Sequence, residues 1–241
     1  MQTGRIDVHS HLLPGVDDGC KTLADSLACA RALVGAGYTH AFCTPHVWPG
    51  YEHVHVGSVP GLVSDLQAKF DEESVPLRLM PGGEINLTPT YASLTAPRDV
   101  VTYGMNGKYA LFDIWVDKLP VHFEPAVKWF QSLGIQPILA HPERMRAVQD
   151  DPGLADYFAK LGLLLQGNVQ CFSDPAHTDT NRIALRFLAE DRYFMLGSDL
   201  HNPATLPCRL AGLERVRREV GESKLDELTI THPSRLITWE I

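Results

Sequence analysis

Short apolar runs alternate along the chain with longer stretches whose apolar residues recur every three or four positions. The first read as strands and the second as helices. Residues 6–9 form a first predicted strand, followed by a helix through Leu23, Leu27, Ala30, Leu33 and Val34, with Thr22 as N-cap and Asp25 three residues on. Gly35 and Gly37 end that helix. A second strand is expected over 39–44, and Ser58 or Pro60 opens a helix carrying Leu62, Val63, Leu66 and Phe70. Further strands are expected over 77–80, 109–114, 136–140, 163–166 and 193–196. Helices are expected over 125–133, 154–161 and 181–188, and a mostly helical tail begins at Leu206. Strands alternating with helices at this spacing predict a parallel sheet or barrel. No internal repeat and no Pro/Gly/Ser-rich linker divides the 241 residues, so one domain over 1–241 is expected.

Polar residues of one chemical kind follow strand after strand. His9 and His11 end the first and His46 follows the second. Glu84 follows the third, Asp113 lies near the end of the fourth, His141 follows the fifth, and Asp199 and His201 follow the last. In a barrel the C-terminal strand ends converge on one face, so residues remote in sequence would meet there. Imidazole and carboxylate are the donors that divalent Zn, Mn or Fe require. In His9-Ser10-His11, and again in Asp199-Leu200-His201, side chains two apart point the same way. One buried His is more often a hydrogen-bonded core residue, and one Asp after a strand is more often a helix cap. It is the recurrence at successive strand ends that favours a metal centre. His40, His53, His55, His122, His177 and His232 lack this placement; His53 and His55 belong to a Gly/Pro-flanked loop and are expected to be exposed.

Composition narrows the classes. The chain is 44% hydrophobic and 21% charged, as for an ordinary soluble domain, and its formal charge of −8 argues against a nucleic-acid partner. No run of apolar residues is long enough for a membrane span, and the N-terminal residues do not read as a secretory signal. The five cysteines (Cys20, Cys29, Cys43, Cys171, Cys208) are odd in number and far apart, which suits reduced thiols in a cytoplasm. None has arginine six residues on, where Ser26, Gly35, Pro49, His177 and Glu214 stand, so the loop of a cysteine-dependent tyrosine phosphatase is excluded. No P-loop and no H-E-x-x-H helix occurs.

The order H-x-H, D-D-G (Asp17-Asp18-Gly19), T-x-H (Thr44 to His46), G-x-E-I (Gly82 to Ile85), A-H-x-E-R (Ala140 to Arg144), S-D-x-H-N (Ser198 to Asn202) resembles the polymerase-and-histidinol-phosphatase (PHP) family. Within it, the chain is most similar to the manganese-dependent protein-tyrosine phosphatases of bacterial capsule and exopolysaccharide loci, the CpsB/YwqE type. The resemblance extends to the tail from Pro233 to Ile237 and covers essentially the whole chain. It implies an α/β fold, a distorted seven-stranded (β/α) TIM-like barrel, with two to three Mn ions, or Zn or Fe. His9, His11, Glu84 and Asp199 would bind the first, and Glu84 would bridge to a second held by Asp113 and His141. Asp18, His46 and His201 would hold the third, leaving Asp17 as a loop or cap residue. The substrate would be a phosphotyrosine protein, such as a tyrosine kinase of polysaccharide export, attacked in line by a metal-activated water. Arg144 would clamp the phosphoryl oxygens. Its rival role is an ion pair with Glu143.

Two departures from the family pattern stand out. Asp113 occupies a position where the relatives carry Glu. The relatives also place Arg soon after S-D-x-H-N, whereas here the nearest arginine is Arg209, which is expected to bind substrate less well than Arg144. The loop from Val47 to Tyr51 follows a ligand, and Trp48 and Tyr51 are placed to stack on a substrate ring. A histidinol-phosphate or nucleotide phosphoesterase on the same scaffold stays open, because fold does not choose substrate. A non-enzymatic interaction domain fits less well, since every ligand position still carries a metal-binding residue type.

Overall fold

Nine short strands and eight α-helices alternate along residues 4–237, which are the residues that the structure, a computed structural model, describes. The strands are β1 (Arg5–Ser10), β2 (Tyr38–Cys43), β3 (His46–Val47), β4 (Arg78–Pro81), β5 (Glu84–Asn86), β6 (Tyr109–Asp113), β7 (Gln136–Ala140), β8 (Leu164–Asn168) and β9 (Met195–Gly197). Every strand pairing among the described residues is parallel. Three strands run in the order β1-β2-β4 and six in the order β3-β5-β6-β7-β8-β9. β2 and β3 are one strand interrupted at Thr44 and Pro45, and β4 and β5 are one strand interrupted at Gly82 and Gly83. Counting each interrupted pair once reduces nine strands to seven tracks. Gly83 is required at the second break, because a Cβ there would lie 2.7 Å from Val101 and 2.8 Å from Val47.

The last track returns to the first. Asp199 N donates to His9 O (2.7 Å), His11 N donates to Leu200 O (2.9 Å), and Ser10 bridges Leu200 in parallel. The curled parallel sheet therefore has the distorted (β/α) barrel form that the family resemblance implied. Inside it, Ile6, Val8, Phe42, Leu111, Ile138, Ala140 and Met195 form one buried cluster with Tyr103 and Leu236. Contributions from so many strands can meet only within the barrel. Leu236 comes from the C-terminal segment, whose His232 Nδ1 donates to Phe194 O just before β9, at the end opposite the strands' C-termini.

The helices cover the outside with the larger apolar cluster. They are α1 (Leu23–Gly35), α2 (Val59–Glu72), α3 (Tyr91–Leu94), α4 (Phe123–Ser132), α5 (Arg146–Asp150), α6 (Leu154–Lys160), α7 (Asp179–Ala189) and α8 (Leu206–Asp226). Thr22 and Asp25 form the anticipated capping box of α1. Among the described residues no helix is long and apolar enough to cross a membrane. Residues 1–3 and 238–241 of the expected single unit lie outside the described residues.

Candidate metal centre

The residues singled out at strand ends meet at one place. Nε2 of His9 lies 3.4 Å from Glu84 Oε2 and 3.5 Å from Asp199 Oδ1; Nε2 of His11 lies 3.6 and 3.4 Å from the same two oxygens. The two Nε2 atoms are 3.3 Å apart. These separations are long for hydrogen bonds between imidazole and carboxylate. They come close to the spacing of neighbouring donors around one ion, about 3.0–3.4 Å for metal–ligand bonds of about 2.1 Å. His141 Nε2 approaches the other oxygen, Glu84 Oε1, at 3.0 Å, so this one carboxylate faces two groups of donors. His46 Nε2 and His201 Nε2 lie 3.1 and 3.5 Å from Asp18 Oδ1. His11, Asp18, His46 and His201 form one group of possible ligand atoms within 4.8 Å of one another, and His9, His11 and Glu84 form another.

Local backbone explains how the strands deliver these groups. A register irregularity between Asp7 and Ser10 of β1 re-aims the side chains around His9. Gly197 lets β1 approach β9, since a Cβ there would lie 2.7 Å from the Cβ of His9. His141 (φ 32°) and Asp199 (φ 49°) both adopt the left-handed conformation directly after their strands. Such strain at non-glycine residues persists where surrounding structure fixes it, as at functional sites.

A further shell fixes the donors. His9 Nδ1 donates to Gln166 Oε1 (2.9 Å) and His11 Nδ1 to Asp17 Oδ2 (2.7 Å), which directs each Nε2 at the cluster. Asp17 also accepts from the backbone of Gly19 (2.9 Å) and His46 (3.0 Å), tying its loop to the second track. His201 Nδ1 donates to Asp199 O (2.9 Å). Asp199 Oδ2, turned away from the histidines, accepts from Asn168 Nδ2 (2.8 Å) and Arg144 Nη1 (2.7 Å). The sixth track had contributed no expected ligand; it supplies Gln166 and Asn168 instead. Their place at the end of a strand was the available signal.

The electrostatics are those of a charged nest removed from water. Burial alone would raise the carboxyls of Glu84 and Asp199, but the surrounding imidazoles, His9 foremost, hold both well below the usual range. Burial would likewise discharge His9 and His11, yet Glu84 and Asp199 raise the first and Asp17 the second. Burial and the charge of His11 lower His201. Asp113 is the exception: burial, reinforced by the negative charge of Glu84, pushes it up to about 7. Asn86 donates to its Oδ1 (3.3 Å).

Three atoms of this nest, His46 Nδ1, Glu84 Oε2 and Asp113 Oδ2, are buried without a hydrogen-bond partner. His46 Nδ1 and Glu84 Oε2 lie 2.9 Å apart without the alignment of a hydrogen bond. Each such atom costs about 1–3 kcal/mol unless another partner satisfies it. Nitrogen and carboxylate donors facing inward fit divalent cations.

The remaining expectations divide. His53 and His55 are exposed; His53 Nε2 donates to Val16 O (2.8 Å) and stays outside the cluster. Arg144 does not pair with Glu143, whose carboxylate accepts from Asn168 N (2.7 Å) and Tyr193 Oη (3.0 Å). It pairs with Asp199 instead and keeps a side chain one-third exposed beside the cluster. The structure does not bring Arg209 to the substrate face. Its guanidinium is buried, with its donors spent on the carbonyls of Ser198 (2.8 Å), Thr205 (3.1 Å) and Asp199, so it holds the loop from behind. Trp48 lies with its ring 4.0 Å from that of His46, so it packs on a candidate ligand.

Comparison with known proteins places the chain in a family. The family model for capsular polysaccharide synthesis, CpsB/CapC, matches residues 5–238. Tyrosine-protein phosphatase YwqE of Bacillus subtilis is 29% identical over 200 residues, covering 83% of this chain and 78% of that protein. Tyrosine-protein phosphatase CpsB of Streptococcus agalactiae is 25% identical over 239 residues, covering 96% and 98%. A crystal structure from work on YwqE of Bacillus subtilis and CpsB of Streptococcus pneumoniae, described as unique metal-dependent tyrosine phosphatases, superposes with a TM-score of 0.87 at 27% identity over 98% of this chain and 96% of that one. The chain belongs to the CpsB/CapC family of capsular polysaccharide synthesis proteins.

Proposed function

We propose that this chain is a metal-dependent protein-tyrosine phosphatase, folded as one catalytic domain over 1–241. The observation that carries the reading is the convergence of His9, His11, Glu84 and Asp199 at separations suited to a shared ion, with Arg144 beside them. In this reading His9, His11, Glu84 and Asp199 would hold one ion, Glu84, Asp113 and His141 a second, and Asp18, His46 and His201 a third. Two or three Mn ions are expected, with Zn or Fe as substitutes. Bound divalent ions supply Lewis acidity: they acidify water and neutralise phosphoryl oxygens.

The chain's own residues do the rest. Gln166 and Asp17 keep the His9 and His11 rings turned toward the cluster. Arg144, anchored at one nitrogen by Asp199, has further N–H groups for phosphoryl oxygens at the partly exposed face. A phenolate leaving group, as in phosphotyrosine, needs little help from a general acid. None of the buried cysteines has a place in this chemistry, and the protein would act in the cytoplasm, where its thiols stay reduced. The relatives named tyrosine-protein phosphatase support the same substrate class. The proposed partner is a tyrosine kinase of capsular or exopolysaccharide export.

The test compares kcat/KM on a phosphotyrosine peptide, a phosphoserine peptide, histidinol phosphate and a nucleoside monophosphate, at one pH with Mn supplied. Phosphotyrosine should lead by at least about tenfold, a transition-state difference of roughly 1.4 kcal/mol. A lead for histidinol phosphate or the nucleotide would transfer the protein to small-molecule hydrolysis while leaving the metal centre standing.

A further inference from the structure

The proposed function leaves open which part of the chain reads the aromatic ring. Of the large apolar side chains, few are exposed among the described residues; Trp115 is one, at 55%. It follows β6 two residues after Asp113, so the strand that carries a candidate ligand also sets the indole at the edge of the cluster. The guanidinium carbon of Arg144 lies 5.0 Å from its ring centre, and the His141 ring lies 6.1 Å away. The indole is thus flanked by the partly exposed Arg144 and by a candidate ligand, while more than half of its surface faces water. Trp48 is placed differently: it is half-buried and packed on His46.

We infer that Trp115 is the specificity-determining residue for an aryl phosphate, packing against the phenyl ring of phosphotyrosine while Arg144 holds the phosphoryl oxygens. The inference rests on the phosphatase reading above. A phosphoryl group on Arg144 would lie beside the indole. In phosphotyrosine a flat ring is bonded to the ester oxygen and can pack on Trp115 in offset or edge-on fashion. In phosphoserine the same oxygen leads through one methylene to the backbone, which has no ring to offer. Arg144 over the indole also holds the guanidinium and the ring in fixed relation, so phosphate and aryl group are read together.

Trp115→Ala and Trp115→Phe separate ring recognition from a merely structural role. Each purified variant is assayed for bound metal, for kcat and KM on a phosphotyrosine peptide, and for the inhibition constant of inorganic phosphate, which has no ring. Trp115→Ala should lower kcat/KM about three- to tenfold, mostly through KM, the scale of one aromatic pair. Its metal content and its phosphate inhibition constant should stay unchanged, and Trp115→Phe should retain most of the wild-type value. Equal weakening of inorganic phosphate, loss of metal, or no change in KM would overturn the inference. Wild-type protein that leaves the peptide intact would instead overturn the proposed function, and this inference with it.

Discussion

Asp113 carries one methylene less than the Glu expected at its position, and its Oδ2 is buried without a hydrogen-bond partner. Held at about 7 by burial and by Glu84, it is neutral at mildly acid pH in the metal-free protein. Its folded value lies above the ordinary 3.8, so its contribution to stability is complete below about pH 4 and is lost as pH rises through about 7. His9 and His11 are raised as well, so they too must give up protons before a cation can bind. Metal affinity should therefore rise with pH through about 7, with proton release on binding. Titration calorimetry in two buffers of different ionisation enthalpy measures both. Affinity that is flat with pH, with no buffer dependence, would contradict this electrostatic picture. At this scale the ligand-type residues were legible because His, Asp and Glu recur at strand ends. Gln166, Asn168 and Asn86 were not, because neutral amides are common everywhere and only their hydrogen bonds give them a role.

Elements of ordinary length were readable from periodicity: β7 fell at Gln136–Ala140 as expected, and the capping box placed the start of α1. β3 and β5 were missed because two- and three-residue strands show no alternation. In consequence His46 and Glu84, read as following strands, in fact begin them. The last strand begins at Met195 rather than at 193, because Asp191 is in a left-handed turn and the Tyr193 hydroxyl is drawn to Glu143. One glycine and one cap position test whether site and fold can be perturbed separately. Gly197→Ala puts a methyl against His9 at the β1–β9 seam, at a cost of about 1–3 kcal/mol, and should lower metal occupancy too. Thr22→Ala removes a cap for about 1 kcal/mol and should leave kcat unchanged. Denaturant melts with metal analysis of both variants decide the matter; a Gly197→Ala protein with wild-type stability and metal content would contradict the role given to the seam.

At the scale of the whole molecule, the alternation of strands and helices pointed to a parallel sheet or barrel, but the return of β9 to β1 is a property of the closed structure and leaves no periodic mark. Closure is what gathers Asp18, Glu84, Asp113 and Asp199 from four distant segments of a chain already at −8. Such a gathering would repel an anionic phosphate ester unless cations reverse the local field. The most direct measurement is elemental analysis of protein purified without chelator or metal-affinity tag, paired with phosphotyrosine-peptide hydrolysis before chelation, after it, and after Mn is returned. Two or three ions per chain are predicted, with hydrolysis abolished by chelation and restored by Mn. Full activity in folded protein after verified removal of every ion would contradict the account.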